Sequence, residues 1–237
     1  MNISNTQRTT FLLITLLLML GAAGCKSSQT ATDRSASSAP SEDRMEELYW
    51  ARIDSARMTF SQADVDFMIG MIGHHAQALI MSRLAPENGA SAQLQILAAR
   101  IINAQRDEIN TMQTWLRRRG QPVPEVHIDG LNLMIHIPGM DHEEHADHTN
   151  MPGMLSQEQL VELSEAKGTD FDRLFLRYMI DHHMGAVTMV RNLVNTDGAA
   201  QEEDAFRLAS DIQVDQITEI ERMKLMLEEL SDPGNHP

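Results

Sequence analysis

The chain has 237 residues, enough for one or two domains with a buried core, and its 42% hydrophobic and 22% charged residues are typical of a globular protein. The net charge of −15 and the 4% aromatic content disfavour a nucleic-acid partner, which needs basic and base-stacking surfaces. A single cysteine excludes an intramolecular disulfide, so packing must stabilise the fold. The composition stands out in its 17 methionines and 10 histidines.

The N-terminus has the pattern of an export signal. Arg8 precedes an apolar run over residues 11–20 that is too short to span a bilayer, which predicts a signal peptide over residues 1–24. The small residues before Cys25 resemble a bacterial lipobox, so we expect Cys25 to carry a lipid that anchors the exported protein to a membrane of the cell envelope. A plain secretory signal, with Cys25 as a free thiol, is the alternative.

Ser, Thr and Ala dominate residues 25–42, and the absence of an apolar period predicts a flexible tether. From Asp43 an apolar stripe predicts a short amphipathic helix that ends near Phe60. We assign residues 43–237 to one helical domain.

That domain contains an internal repeat. Positions of repeat one, residues 61–120, recur in repeat two, residues 156–230, at offsets of 108 and 111 residues. Each copy has two segments of helical period, of about 25 residues each, joined by a polar turn. Two such hairpins predict an all-α fold, packed as a four-helix bundle.

Local motifs mark the ends of these helices. The patterns Ser61-x-x-Asp64 and Thr169-x-x-Asp172 predict two helix starts. A basic last turn followed by Gly120 predicts the end of the second helix. No segment of the chain shows the alternation expected of a strand.

The two repeats agree most closely at histidine and methionine. The candidate metal ligands are Met71, His74, His75, Met81 and Met112 in repeat one, and Met179, His182, His183, Met189 and Met223 in repeat two. Imidazole suits Cu(II) and zinc, whereas thioether is a soft ligand that favours Cu(I). The combination therefore favours copper.

A purely structural interpretation accounts for the same residues. Methionines at helical spacing usually fill a core. A buried histidine pair needs polar partners, and Gln105 and Glu108 offer them without any metal.

The linker between the repeats, residues 121–155, holds a second group of these side chains. Its candidate ligands are His136, Met140, His142, His145, His148, Met151 and Met154. Two Pro-Gly-Met runs disfavour a regular helix, so we expect a flexible, solvated segment that wraps a metal ion. A solvated acidic loop that binds nothing is the alternative.

Residues 67–78 and their copy at 175–186 resemble the domain of unknown function family 305, as do residues 151–155 and the Gln-x-x-Glu-Ile-x-x-Met pattern of both second helices. The resemblance implies a ferritin-like helical bundle in the bacterial envelope. It also implies copper binding and copper tolerance for some members.

These features predict an envelope lipoprotein that binds or sequesters copper, as Cu(I), Cu(II) or both, for metal tolerance or delivery. Silver and zinc are the other ions that its ligands suit. No hydrolase or nucleotide-binding motif occurs, so we expect metal capture rather than catalysis, and no catalytic residue. A ferritin-like di-metal oxidoreductase and a non-metal structural or partner-binding bundle are the alternatives. A homo-oligomer and a copper-accepting partner protein are compatible with this interpretation.

Overall fold

The computed structural model describes residues 41–139 and 151–231. Its elements are, in order, α1 (Glu42–Arg57), α2 (Gln62–Glu87), α3 (Ala92–Arg118), β1 (Glu125–Asp129), β2 (Asn132–His136), α4 (Gln157–Glu165), α5 (Gly168–Val194) and α6 (Glu203–Ser231). This part of the chain is mostly helical, as predicted, but the two strands show that the all-α prediction is wrong in that detail. None of these helices is both long and apolar enough to cross a membrane.

Four long helices form two hairpins. α2 packs against α3, α5 packs against α6, and the two hairpins meet mainly through α2 and α5. The four helices have 26, 27, 27 and 29 residues, which confirms the predicted lengths. The short helix α4 had no counterpart in the sequence prediction.

One of the two predicted helix starts is confirmed. At the start of α2, the Ser61 side chain accepts a hydrogen bond from the Asp64 backbone N–H, and the Asp64 carboxylate accepts one from the Ser61 backbone N–H. α5 instead begins at Gly168, after Lys167, with no side-chain cap. The predicted cap at Thr169 is therefore wrong.

Two equivalent aspartates connect the hairpins. Asp64 on α2 accepts a hydrogen bond of 2.7 Å from the backbone N–H of Ala200, in the turn between α5 and α6. Asp172 on α5 accepts bonds of 3.2 Å from the backbone N–H of Ser91, in the turn between α2 and α3. Because α5 begins at Gly168, Asp172 lies beyond the first turn, and its carboxylate does not cap its own helix. Each hairpin thus fixes the turn of the other.

The first part of the linker forms a β-hairpin, and its second strand includes residues 134–136, where the His- and Met-rich segment was predicted to be flexible. β1 and β2 pair in antiparallel register, with Glu125 opposite His136 and Asp129 opposite Asn132. Alternate residues of both strands are half-buried, and they pack against the helical core: Val126, Ile128, Leu133 and Ile135. The hairpin is therefore part of the folded domain.

α1 forms where the apolar stripe predicted a helix, and it ends at Arg57 rather than near Phe60. Its large apolar side chains are nonetheless more than half exposed: Met45, Leu48, Tyr49 and Trp50. Since these side chains stay in contact with solvent, α1 adds little to the core.

The core consists of two apolar clusters with a polar layer between them. On α2, the buried residues before His74 join one cluster, and most of those after His75 join the other. On α5 the assignment is largely reversed: the buried residues before His182 join the second cluster, and most of those after His183 join the first. The layer is built from equivalent positions of the two repeats: His74, His75, Gln105, Glu108, His182, His183, Gln216 and Glu219.

Candidate metal centre

Four imidazoles lie together in the polar layer. His74, His75, His182 and His183 are all 0% exposed. The rings of His74 on α2 and His182 on α5 have centroids 3.9 Å apart. Within each adjacent pair the centroids are 6.5 and 6.2 Å apart. The fold thus brings the two histidine pairs of the sequence into one buried group, with His74 and His182 at its centre.

The outer histidine of each pair bonds to a glutamate. His75 Nε2 lies 2.6 Å from Glu108 Oε2, and His183 Nε2 lies 2.7 Å from Glu219 Oε2. The two carboxylates are mostly buried, with 13% and 16% of their side-chain surface exposed. Glu108 is thus a polar partner of His75, as the structural interpretation of the sequence expected.

The two inner histidines have fewer partners. His74 Nε2 lies 3.0 Å from the carbonyl oxygen of Pro152, to which it donates. Neither ring nitrogen of His182 has a protein partner. A buried polar atom without a partner costs folding free energy, so such atoms are candidates for ligand binding.

Several other polar atoms of the layer also lack protein partners. The Nδ1 atoms of His74, His75 and His183 make no hydrogen bond. The side-chain nitrogen and oxygen of Gln105 also make no hydrogen bond. The prediction that Gln105 serves as a histidine partner is therefore wrong, although Glu108 one turn later has that role.

Burial keeps the inner histidines neutral. Desolvation, followed by repulsion from the His75 imidazole, lowers the pKa of His74 to about 3. Desolvation, followed by the neighbouring His74 and His183, also lowers the pKa of His182 well below its ordinary value. Neutral imidazole keeps a lone pair on one nitrogen, and this is the form that binds a metal ion.

Residues 151–155, here called the strap, cover the inner histidines. The Pro152 carbonyl accepts the hydrogen bond from His74. The side chain of Gln77 on α2 donates to the Leu155 carbonyl at 2.9 Å and accepts from the Leu155 N–H at 2.8 Å. On the other side, a Cβ atom at Gly185 of α5 would overlap the Pro152 carbonyl, so only glycine permits this approach.

Because the strap is held by α2 and α5, its methionines do not belong to a flexible segment, and that prediction is wrong for Met151 and Met154. Met151 Sδ and Met189 Cε both lie 3.4 Å from the position that a Cβ atom would take on Gly70. Gly70 is one helical turn before His74. One thioether from the strap and one from α5 therefore lie beside the histidine layer.

The other predicted methionine ligands of the repeats are fully buried in the apolar clusters. Met71 and Met112 lie in one cluster, and Met81, Met179 and Met223 lie in the other. Such surroundings are typical of methionine that fills a core.

The remaining predicted residues lie apart from this layer. His136 is exposed at the end of β2, so it too is not on a flexible segment. Cys25, Met140, His142, His145 and His148 lie outside the described residues. Within residues 41–139 and 151–231, no group of three or more His, Cys, Asp and Glu side chains is arranged to hold a metal ion.

Sequence reasoning missed two contributors to the site, Gln77 and the Pro152 carbonyl. Neither had an available signal, since a bond between a side chain and a distant backbone group leaves no pattern in the sequence. Glu219 was found as the repeat equivalent of Glu108 at an offset of 111 residues.

Comparison with known proteins identifies the family. A sequence model described as Domain of unknown function (DUF305) matches residues 64–227. The crystal structure of a DUF305 fragment from Deinococcus radiodurans is 30% identical, covers 72% of this chain and 98% of its own, and has a TM-score of 0.57. No curated protein matches the chain.

Two further structures are of a copper-bound protein, CopM. Its Cu(II)-bound form is 30% identical, covers 70% of this chain and 96% of its own, and has a TM-score of 0.51. Its Cu(I)-bound form is 29% identical, covers 71% and 98%, and has the same TM-score. The chain belongs to the DUF305 family.

Proposed function

We propose that this protein is an exported bacterial lipoprotein that binds copper through histidine and methionine and contributes to copper tolerance or delivery. The observation that carries the proposal is the buried group of four imidazoles, in which neither nitrogen of His182 has a protein partner. The similarity to CopM, crystallised with Cu(I) and with Cu(II), supports the same ion.

The donor set supports copper over harder ions. The described His, Cys, Asp and Glu side chains form no group of three that could hold a metal by themselves. A complete site at the imidazoles therefore needs a ligand of another type, and Met151 and Met189 bring thioethers to the same region. Neutral imidazole with thioether suits Cu(I), and imidazole alone suits Cu(II). Silver and zinc are the competing ions to test.

We further propose a ferritin-like four-helix bundle for residues 43–237, formed by α2, α3, α5 and α6. In this arrangement the two repeats supply matching halves of the histidine layer, and the strap closes it on one side. The function is capture rather than turnover: the His and Met of residues 140–150 collect ions, and the layer holds them away from solvent.

A double substitution tests the histidine layer. His75→Gln with His183→Gln removes two imidazoles but keeps polar side chains of similar length. The wild-type protein should be stabilised by about 2.7 kcal/mol when free Cu(I) is 100 times its Kd, and the double variant should lose most of that gain. Urea unfolding of both proteins, with and without Cu(I), measures the coupling, which is the difference between the copper-induced stabilisation of the wild type and that of the double variant.

His127→Gln on β1 is the matched control, because this histidine is exposed and lies outside the layer. Its copper-induced stabilisation should equal that of the wild type. A coupling of zero for the double variant would exclude His75 and His183 as ligands. His74 and His182 would then need the same test. A wild-type protein that copper does not stabilise would favour the non-metal bundle, in which the same histidines only pack and hydrogen-bond.

The proposed anchor has a separate test. Residues 1–24 are proposed to be the signal peptide, and residues 25–42 the tether that follows the lipid. Cys25→Ser removes the thiol that accepts the lipid, so the protein should move from the membrane fraction to the soluble fraction of the envelope. Ser28→Ala in the tether is the control. Continued membrane fractionation of Cys25→Ser would exclude a lipid at this residue.

A further inference from the structure

Two histidine–glutamate bonds in the polar layer are built alike in both repeats. His75 on α2 bonds to Glu108 on α3, and His183 on α5 bonds to Glu219 on α6, at 2.6 and 2.7 Å. In each case the bond uses Nε2, and the imidazole is 0% exposed. The second nitrogen, Nδ1, has no partner in either residue.

These bonds determine which ring nitrogen has a free lone pair for a metal ion. A carboxylate only accepts hydrogen bonds, so a neutral imidazole that bonds to it must carry its proton on Nε2. The lone pair is then on Nδ1, which is the nitrogen that a metal ion would bind. The Pro152 carbonyl imposes the same state on His74, because it also only accepts from Nε2.

An aspartate on α6, Asp215, lies near both carboxylates. Burial, followed by the negative charges of Glu108 and Glu219, raises the pKa of Asp215 on α6. The outer histidine of each pair therefore has one carboxylate acceptor for its Nε2 proton.

We propose that Glu108 and Glu219 are positioning residues of the copper site, which hold His75 and His183 as Nε2–H tautomers and present their Nδ1 atoms to the metal ion. This inference rests on the proposed function and adds the ligating atom and two residues to it. A carboxylate behind a ligating histidine also raises the basicity of the ligand, and its loss typically lowers metal affinity 10- to 100-fold.

The metal-free protein gives the first test. Long-range ¹H–¹⁵N correlation spectra of the ¹⁵N-labelled protein distinguish a protonated from an unprotonated ring nitrogen. We expect Nε2–H tautomers for His75 and His183. Nδ1–H tautomers in the wild-type protein would overturn the inference without any variant having to fold.

The second test uses Cu(I), which is diamagnetic, and the variants Glu108→Gln and Glu219→Gln. In the wild type, addition of Cu(I) should shift the Nδ1 resonances of both histidines while the Nε2 proton stays in place. Each variant should bind Cu(I) 10- to 100-fold more weakly in competition titrations, and its histidine should lose the single tautomer.

Two further variants separate hydrogen bonding from charge. Glu108→Asp keeps the charge but shortens the side chain by one methylene, so it should weaken binding as Gln does. Glu221→Gln removes an exposed carboxylate of α6 that pairs only with Lys224 among the described contacts, and it should bind as the wild type does. Full affinity in Glu108→Asp would show that charge alone matters and would overturn the positioning role.

The outcomes for the two proposals differ. A wild-type protein that binds no Cu(I) would overturn the proposed function and this inference with it. Normal wild-type binding that both Gln variants match would overturn this inference alone. So would a Cu(I)-induced shift at Nε2 rather than Nδ1.

Discussion

Four buried imidazoles give this fold a set of polar atoms that the protein itself does not satisfy. His182 has no partner on either nitrogen, and His74 has one on Nε2 only. Each unpaired buried group costs on the order of 1–3 kcal/mol, which apolar residues at these positions would avoid. Buried polar atoms without hydrogen-bond partners are expected mainly at functional sites, so their presence here supports a site at the four imidazoles.

The low pKa of His74 predicts how the metal-free protein responds to acid. Its folded-state pKa of about 3 lies below the unfolded value of about 6.5, so between these pH values the unfolded chain binds a proton that the folded chain excludes. The free energy of unfolding should therefore fall as the pH is lowered from 6.5 towards 3. His182, whose pKa is shifted in the same direction, adds to the effect.

Urea unfolding between pH 4 and 7 measures this dependence. Removing the titrating group in His74→Gln should make the fall with acid shallower than in the wild type. The groups that face His74 are His75, His182, His183 and the Pro152 carbonyl, and all of them are unchanged in this variant. His127→Gln, at an exposed site, should keep the wild-type slope. Equal slopes for His74→Gln and the wild type would contradict the prediction.

The sequence predicted the histidine pairs but not their environment. The repeat identified His74, His75, His182 and His183 because side-chain identity recurs at a fixed offset. It did not identify which member of each pair meets a glutamate, because that depends on the rotation of two helices about their axes. The choice of Glu108 over Gln105 as the partner is likewise decided by packing.

Among the elements, the strap depends most on a single residue. Residues 151–155 approach α5 so closely that a Cβ at Gly185 would overlap the Pro152 carbonyl. The bonds of Gln77 to Leu155 hold the same segment against α2. Because the strap bonds to α2 and packs closely against α5, displacing it should expose the inner histidines.

Gly185→Ala should therefore destabilise the protein, although alanine is the better helix former. We expect a loss of about 1–3 kcal/mol in the free energy of unfolding from overpacking, together with faster hydrogen exchange at the Leu155 amide. Gly70→Ala is the matched control, since its Cβ would meet only side-chain atoms at 3.4 Å. That variant should be neutral or stabilised by up to about 1 kcal/mol. Equal effects of the two substitutions would exclude a docked strap.

The elements show where sequence patterns succeed and fail. α3, α5 and α6 were predictable because an apolar period extends along each of them. α2 is buried on nearly every side, and its match to α5 in the repeat supported its prediction. The β-hairpin was missed although a signal existed: alternating apolar residues flank Asp129-Gly130, a pair that favours tight hairpin turns. The start of α5 was misplaced because the helix begins after Lys167 without a side-chain cap, and the Gly168 N–H instead donates to the distant carbonyl of Asn88 at 2.9 Å.

The repeat places one polar layer between two apolar clusters. Each cluster draws residues from all four long helices, so both hairpins are needed to complete it. The net charge of −15 favours the approach of cations and disfavours anions. Attraction of this kind is screened by salt, so it increases the rate of metal capture more than the affinity of a buried site.

Replacing residues 140–150 with a neutral Gly/Ser linker of equal length separates collection of copper from its retention. The β-hairpin ends before this segment and the strap begins after it, so the free energy of unfolding should stay within about 0.5 kcal/mol of the wild type. Copper stoichiometry should fall because Met140, His142, His145 and His148 are removed, while the most tightly bound ion, assigned to the histidine layer, should remain. A second variant that replaces only these four residues with Asn keeps the acidic side chains and controls for the change in charge. Metal analysis after dialysis measures the stoichiometry of each protein. Unchanged stoichiometry would make the segment a solvated connection, and complete loss of copper would place the whole site there instead of in the bundle.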